Sequence, residues 1–220
     1  MAASPRSFVT RHTNLQPVPG LERIRLLLAD EVLPLWRAVQ VETGDPESAI
    51  PYWAFAWAGG LAIAKHLAFH PGVVAGRRVL DFASGSGLCA IAAMQAGAST
   101  VIAADIDGFA AAAIELNARA NGRRVTVACR DTLEVDPPDV DVILAGDCWY
   151  EAELAERLLP WLQRASARGI DIVVGDPGRR YLPADALVEL ARYDVQTTTE
   201  LEDLDQKEAR VYALRAGDPR

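Results

Sequence analysis

Residues 81–87 read "DFASGSG", following "GRRVL" (76–80) and leading into the small apolar run "LCAIAAMQAG" (88–97). An apolar run, a bare glycine turn and an Ala-rich stretch read in order as strand, loop and helix. Such a loop lies at the carboxyl edge of a parallel sheet, where open α/β folds bind ligands. Glycines there let backbone N–H groups approach a ligand without side-chain interference.

The flanking sequence repeats this alternation. Downstream, "STVIAAD" (99–105) reads as strand, "GFAAAAIELNARANG" (108–122) as helix, "RVTVACR" (124–130) as strand and "VDVILAG" (140–146) as strand. Next come the helix "EAELAERLLPWLQRASARG" (151–169) and the strand "IDIVVGD" (170–176). Upstream, "AGGLAIAKHLAFHP" (58–71) is a helix stopped by Pro71. Short apolar strands alternating with helices predict a parallel sheet covered on both faces.

The ends are less regular. Residues 1–20 carry proline and polar residues and read as an extended arm, and 21–42 fit either strand-then-helix or a helix broken at Pro34. The tail predicts a short helix at "LPADALVELAR" (182–192). Two β-rich runs follow, "YDVQTTTEL" and "EARVYALR", joined by the acidic turn "EDLDQ" into a closing antiparallel pair. Residues 1–50 form the arm and lead-in, and 51–220 a single globular domain.

Composition narrows the partners. The 22 basic and 30 acidic residues give a net charge of -8, which disfavours nucleic acid phosphates and anionic lipid and favours a basic partner. Cys89, Cys129 and Cys148 are widely spaced and odd in number, so a disulfide framework is not indicated and a reducing cytoplasm is expected. Neither they nor His12, His66 and His70 have metal-ligand spacing, and no metal is expected. No apolar run is long enough to span a bilayer. The acid-free opening with two arginines lacks the apolar stripe of an organellar transit peptide. A soluble monomer is expected.

Three ligands compete for the glycine loop. A phosphate loop needs a G-K-[ST] ending that is missing. A dinucleotide fits G-x-G-x-x-A at Gly85, Gly87 and Ala90, with Asp105 placed for a ribose, and would make the chain an NAD-binding oxidoreductase. Asp81 argues against it, because a carboxylate just before the glycines suits an amino-bearing ligand better than a pyrophosphate. S-adenosylmethionine (SAM) has an amino acid end, a ribose and an adenine without phosphate, and an acid is available for each. Ser84, Gly85, Ser86 and Gly87, with Asp81 behind them, would cradle the methionine end; Asp105 would accept from the ribose hydroxyls and Asp131 from the adenine amino group.

This layout resembles the class I methyltransferases, whose Rossmann-like, doubly wound seven-stranded sheet is mostly parallel and ends in an antiparallel hairpin. Their loop reads E/D-x-G-x-G-x-G, and the chain departs from it at Ala83. With "PYWAFAWAGG" (51–60), "GDCWYE" (146–151) and "GDPGRRYLP" (175–183), it is similar to methyltransferase family 16, the seven-strand protein lysine methyltransferases. Within that family it looks most like the branch acting on the β-subunit of electron transfer flavoprotein, with another protein lysine, such as one in a ribosomal protein, as the alternative. The resemblance implies that Trp57, Gly59, Gly60 and Ile106 lie against the cofactor and that Asp147 and Tyr150, as D-x-x-Y, meet the acceptor lysine.

The chemistry of those residues is coherent with this. A lysine with pKa near 10.4 is neutral in only about one molecule per few thousand at pH 7. Asp147 could attract the ammonium and orient the amine, while either Asp147 or bulk water takes the proton. Trp149 and Tyr150 read as aromatic walls or, for Trp149 above all, as core; Trp53 and Trp57, at i and i+4, read as one buried helical face, unless Trp57 lies against the cofactor as the resemblance implies. Arg179, Arg180 and Tyr181 read as either the acceptor entrance or a plain turn. "DPPD" (136–139) ends in an acid before its strand and reads as a loop rather than an adenine-methylation signature.

Overall fold

The computed structural model describes residues 4–197 and 206–215. The chain opens with helix α1 (Pro5–His12), a two-stranded hairpin of β1 (Asn14–Val18) and β2 (Leu21–Leu28), and helix α2 (Val32–Thr43). The N-terminal segment is therefore not an extended arm. Ser4 caps α1 by accepting from the Ser7 N–H, Pro5 occupies the first turn, and Phe8 and Val9 are buried. The ambiguous 21–42 stretch resolves as strand then helix, with Pro34 in the first turn of α2, where its missing N–H breaks no intrahelical bond.

The main domain runs α3 (Ala58–Phe69), β3 (Arg78–Phe82), α4 (Leu88–Gln95), β4 (Thr100–Asp105), α5 (Gly108–Ala120), β5 (Thr126–Cys129), β6 (Val142–Gly146), α6 (Ala152–Ala167) and β7 (Asp171–Asp176). It closes with β8 (Leu187–Gln196) and β9 (Gln206–Leu214). The sheet order is β5-β4-β3-β6-β7-β9-β8, parallel from β5 to β7 and antiparallel across β7–β9 and β9–β8. Strand order reverses between β3 and β6, the switch point at which an open α/β sheet leaves a crevice. Among the described residues no helix is long and apolar enough to cross a membrane.

The helix expected over 182–192 is instead a 3-10 turn followed by β8. Its Ala-Leu-Glu composition favours a helix, but register from Leu187↔Leu214 to Gln196↔Gln206 gives β9 a partner on its outer side. The partner overrides the local preference, and a bulge between Glu189 and Ala191 absorbs the misfit. Most of the expected acidic turn at 202–206 lies outside the described residues.

Alternation along β3 divides the core. Val79 packs with α3 and α4, whereas Leu80 and Phe82 pack with Leu158, Trp161, Leu162 and Ala165, the buried stripe of α6. Burial of each large side chain in that stripe contributes about 1.5–3 kcal/mol. A third cluster joins α1, α2, Trp53 and the Ala-rich face of α5, so the N-terminal segment is packed onto the domain.

Candidate active site

Strand β3 delivers the glycine loop to the crevice. Asp81 follows Val79 in the alternation and faces α4, where its Oδ2 accepts from Ser84 Oγ at 2.5 Å and from the Ala90 N–H at 2.9 Å. Burial pushes this carboxyl up to about 7, against the pull of those two donors. Ala83, Gly85 and Gly87 all have left-handed φ (50°, 53° and 82°), so the loop takes this conformation at the position where Ala83 replaces the pattern's glycine.

Two side chains outside the loop fix it. Asp105, ending β4, accepts from the Gly85 N–H at 2.8 Å and the Asp107 N–H at 3.0 Å, and burial raises its pKa. Asn117 of α5 is fully buried; it donates to the Ser86 carbonyl at 2.8 Å and accepts from the Leu27 N–H at 2.7 Å. It thereby ties the N-terminal hairpin to the loop. Sequence reasoning missed Asn117, although a polar residue in register with Ala110, Ala113 and Ile114 on the apolar face of a helix was a readable signal.

A cavity of about 460 Å³ opens above the switch point. One end is walled by Asp81, the 84–86 loop, Asp105, Ile106 and Asp131. Asp131 caps the turn after β5 through the Leu133 N–H and pairs with Arg157 at 2.6 Å. Burial would raise its pKa, but these bonds outweigh burial and hold it low.

At the other end stand Tyr52, Trp57, Asp147, Tyr150 and Arg179. Trp53 and Trp57 share no helical face. Trp53 lies buried in a 3-10 turn (Tyr52–Ala54) and packs on Phe109, Trp57 precedes α3, and both line the cavity. Tyr150, 39% exposed, contacts the Tyr52 ring with centroids 5.1 Å apart. Trp149, 1% exposed, packs in the core with α6 and is no cavity wall. Asp147 separates these fates: its left-handed φ of 56° breaks the strand alternation just before them.

That same turn aims the Asp147 carboxylate at the start of α3. Oδ2 accepts from the Gly60 N–H at 2.8 Å, and Oδ1 from Arg179 Nη2 at 2.8 Å and Nε at 3.3 Å. Trp57 supplies no side-chain cap to α3, so Asp147 caps the helix from another strand. Burial raises its pKa to about 6, with Arg179 the largest opposing influence. Gly59 and Gly175 allow the close approach, since a Cβ on Gly59 would lie 2.2 Å from the Gly175 carbonyl oxygen. Arg179 is thus the cavity-facing member of its loop, while Arg180 lies over the Tyr181 ring.

The donor set fits a phosphate-free cofactor. Acids stand at the tips of β3 and β4, beside the glycines where a pyrophosphate would need donors, and Asp131 stands past β5. A Cβ on Gly85 would meet nothing closer than the Trp53 Cα at 3.8 Å, leaving room beside the loop.

The electron transfer flavoprotein beta subunit lysine methyltransferase of Xenopus laevis is 34% identical over 221 residues, covering 97% of this chain and 88% of its own. The chain belongs to the electron transfer flavoprotein beta subunit lysine methyltransferase family. The Rattus norvegicus member of this family is 38% identical over 156 residues, 68% of this chain and 61% of its own length. A family model described as ribosomal protein L11 methyltransferase (PrmA) matches residues 67–168. A putative RNA methyltransferase from Pyrococcus horikoshii superposes with a TM-score of 0.57 at 15% identity, covering 76% of this chain and 90% of the other, which shows a shared fold. The lysine methyltransferase family thus has here the seven-stranded sheet and terminal hairpin that the sequence led us to expect.

Proposed function

We propose that the protein is a SAM-dependent protein lysine N-methyltransferase acting on the β-subunit of electron transfer flavoprotein. The observation that carries this reading is one cavity with two chemically distinct ends. A glycine loop among three acids is joined to an aromatic pocket of Tyr52, Trp57 and Tyr150. Family membership supports the substrate, and the net charge of -8 favours a basic partner surface.

Bound SAM supplies a methyl group on a sulfonium, transferred in line to a lysine nitrogen. The chain's residues do the positioning. Asp81 offers a buried carboxylate to an ammonium, Asp105 and Asp131 offer acceptors to hydroxyl and amino groups, and Ile106 adds an apolar surface next to Asp105. Tyr150 and Tyr52 narrow the acceptor end, exclude water and present ring faces to a cation or an amine. Asp147 holds α3, and with it Trp57, against the sheet.

The test is to incubate purified β-subunit with the protein and SAM and read intact mass. Increments of one, two or three methyl groups on a lysine support the reading. If the β-subunit stays unmodified while a whole-lysate assay labels another protein, the substrate assignment fails. Binding of NAD without S-adenosylhomocysteine would sink the methyltransferase reading itself.

A further inference from the structure

The acceptor end of the cavity holds a cation beside the acids Asp147 and Glu151 that a lysine methyltransferase would be expected to offer there. The Arg179 guanidinium sits on Asp147 Oδ1, 5.8 Å from the Trp57 ring centroid, with its side chain 20% exposed and Asp147 only 10%. Its loop is pinned, because the Gly178 and Arg179 N–H groups donate to Asp176 Oδ1 at 2.7 and 2.6 Å. Asp147 Oδ2 is committed to Gly60. An incoming side chain therefore meets a fixed guanidinium on a carboxylate whose two oxygens already have donors.

Resting on the lysine methyltransferase reading, we propose that Arg179 is a positioning residue whose fixed positive charge makes the acceptor nitrogen occupy this pocket as the neutral, nucleophilic amine. A cation beside a lysine disfavours its ammonium form, and the displaced proton goes to solvent. Asp147 then serves as the anchor that holds the guanidinium and caps α3, rather than as the ion that recruits lysine.

Charged and titratable groups face this pair from each neighbouring element. Asp147 and Cys148 follow β6, and Tyr150 and Glu151 lead into α6. Asp176 ends β7, and Tyr52 comes from the turn before α3. Cys89 lies on α4, and Asp81 and Asp105 stand across the cavity. Arg130 and Arg157 line the cavity too, beside Asp131. Arg179 is the guanidinium that offsets the acids at the acceptor end.

The experiment is the pH profile of kcat at saturating SAM and β-subunit, which reports the bound complex. Unmodified protein gives the reference profile, and its failure to methylate would defeat the proposed function rather than this inference. Binding of S-adenosylhomocysteine by Arg179→Gln, within a few-fold of the unmodified protein, establishes that the variant is folded. Removing a unit charge at about 6 Å, at an effective dielectric near 20, corresponds to a shift on the order of one to two pH units. The ascending limb of Arg179→Gln should move up by that amount. The rate at pH 7 should fall roughly ten- to a hundredfold and recover at high pH, while Arg179→Lys keeps the original limb. Should Arg179→Gln bind no cofactor, Arg179→Met, which retains the stem against Trp57, carries the same test. A rate reduced equally at every pH, or a limb moved as far by lysine as by glutamine, overturns the inference. So does faster turnover of the glutamine variant at neutral pH, which would make Arg179 a placeholder that lysine displaces.

Discussion

The Asp147 carboxylate accepts the Gly60 N–H at 2.8 Å across 87 residues of sequence, so the end of β6 caps a helix whose own first residues offer no side-chain acceptor. The oxygen not used by the cap holds Arg179, which joins the loop after β7 to the same point. Three segments of the acceptor pocket thus depend on one largely buried carboxylate. Its left-handed backbone is tolerated because aspartate adopts φ > 0 more readily than most residues.

Replacement of Asp147 separates these roles. In Asp147→Asn an amide oxygen can still accept one of the two donors and the backbone remains acceptable, but the charge is lost. In Asp147→Ala both donors lose their acceptor, and alanine at φ 56° adds about 1–2 kcal/mol of strain. The alanine variant should be destabilised by about 3 kcal/mol and the asparagine variant by roughly 1–2 kcal/mol less than that. Urea unfolding at fixed pH measures both. Equal destabilisation would mean that neither the cap nor the backbone strain matters, and methylation should be lost in the alanine variant.

Four carboxyls around the cavity, Asp81, Asp105, Asp107 and Asp147, are raised chiefly by burial, Asp81 to about 7 and Asp147 to about 6. Between about pH 4 and pH 7 the folded state keeps protons that the unfolded chain, with ordinary carboxyls near 3.9, has released. The contribution of Asp81 and Asp147 to stability is therefore complete below about pH 4 and is lost as pH rises through about 6 to 7, and Asp105 and Asp107 act in the same direction. The ligand-free protein should have a lower urea midpoint at pH 8 than at pH 5, and Asp81→Asn should flatten that decline. A ligand ammonium favours ionised Asp81, so affinity for S-adenosylhomocysteine should rise with pH through about 7 in the unmodified protein and stay level in Asp81→Asn. A level profile in the unmodified protein would take Asp81 out of the cofactor site.

What the sequence made legible follows from how local each signal is. The β-α alternation and the glycine loop were readable because side-chain periodicity and left-handed turns are set by a few consecutive residues. The acids Asp81 and Asp105 were readable because strand ends fall at fixed offsets from the loop. Helix α1 also has a local signal, the Ser4–Pro5 cap, but the proline and polar residues around it fit an extended segment equally well. The first part of strand β8, residues 187–192, had none, since its pairing is with β9, later in the chain, whereas 193–196 fall in the expected β-rich run. The Asn117–Ser86 tie and the Asp147–Arg179 pair bring together residues 31 and 32 positions apart on different elements, and single-chain periodicity is blind to them. The separation of Trp149 from Tyr150 was hidden for a different reason, because it hangs on one backbone angle at Asp147.

Ala83 is the imperfect position of the loop motif, and its φ of 50° makes it a site of strain rather than a neutral replacement. Left-handed backbone costs alanine about 1–2 kcal/mol, whereas glycine there costs about 0.5–1 kcal/mol of extra chain entropy. Ala83→Gly should therefore stabilise the protein by about 0.5–1 kcal/mol in urea unfolding. Cofactor affinity should stay within about twofold, because the loop already holds its conformation through Asp105 and Asn117. A destabilised Ala83→Gly would show that the alanine methyl makes packing contacts outweighing the strain.

Adjacent glycines at the start of α3 should respond in opposite ways to the same methyl group. At Gly59 a Cβ would fall 2.2 Å from the Gly175 carbonyl oxygen and 2.7 Å from Asp147 Oδ2, so the helix must lift from β7 or the carboxylate must leave its cap. At Gly60 the nearest atoms would be Cys89 Sγ and Leu88 Cδ2, both at 3.7 Å, which is ordinary contact. Gly60→Ala should be neutral or stabilising by up to about 1 kcal/mol from helix propensity, whereas Gly59→Ala should lose about 2–3 kcal/mol from overpacking. Because Gly59 also positions the helix that presents Trp57, its variant should lose methylation more steeply than stability, at a temperature where both proteins are folded. Thermal melts and turnover of the two variants side by side provide the comparison. A Gly59→Ala protein as stable and active as Gly60→Ala would mean that α3 does not need its close seat on β7 to shape the acceptor pocket.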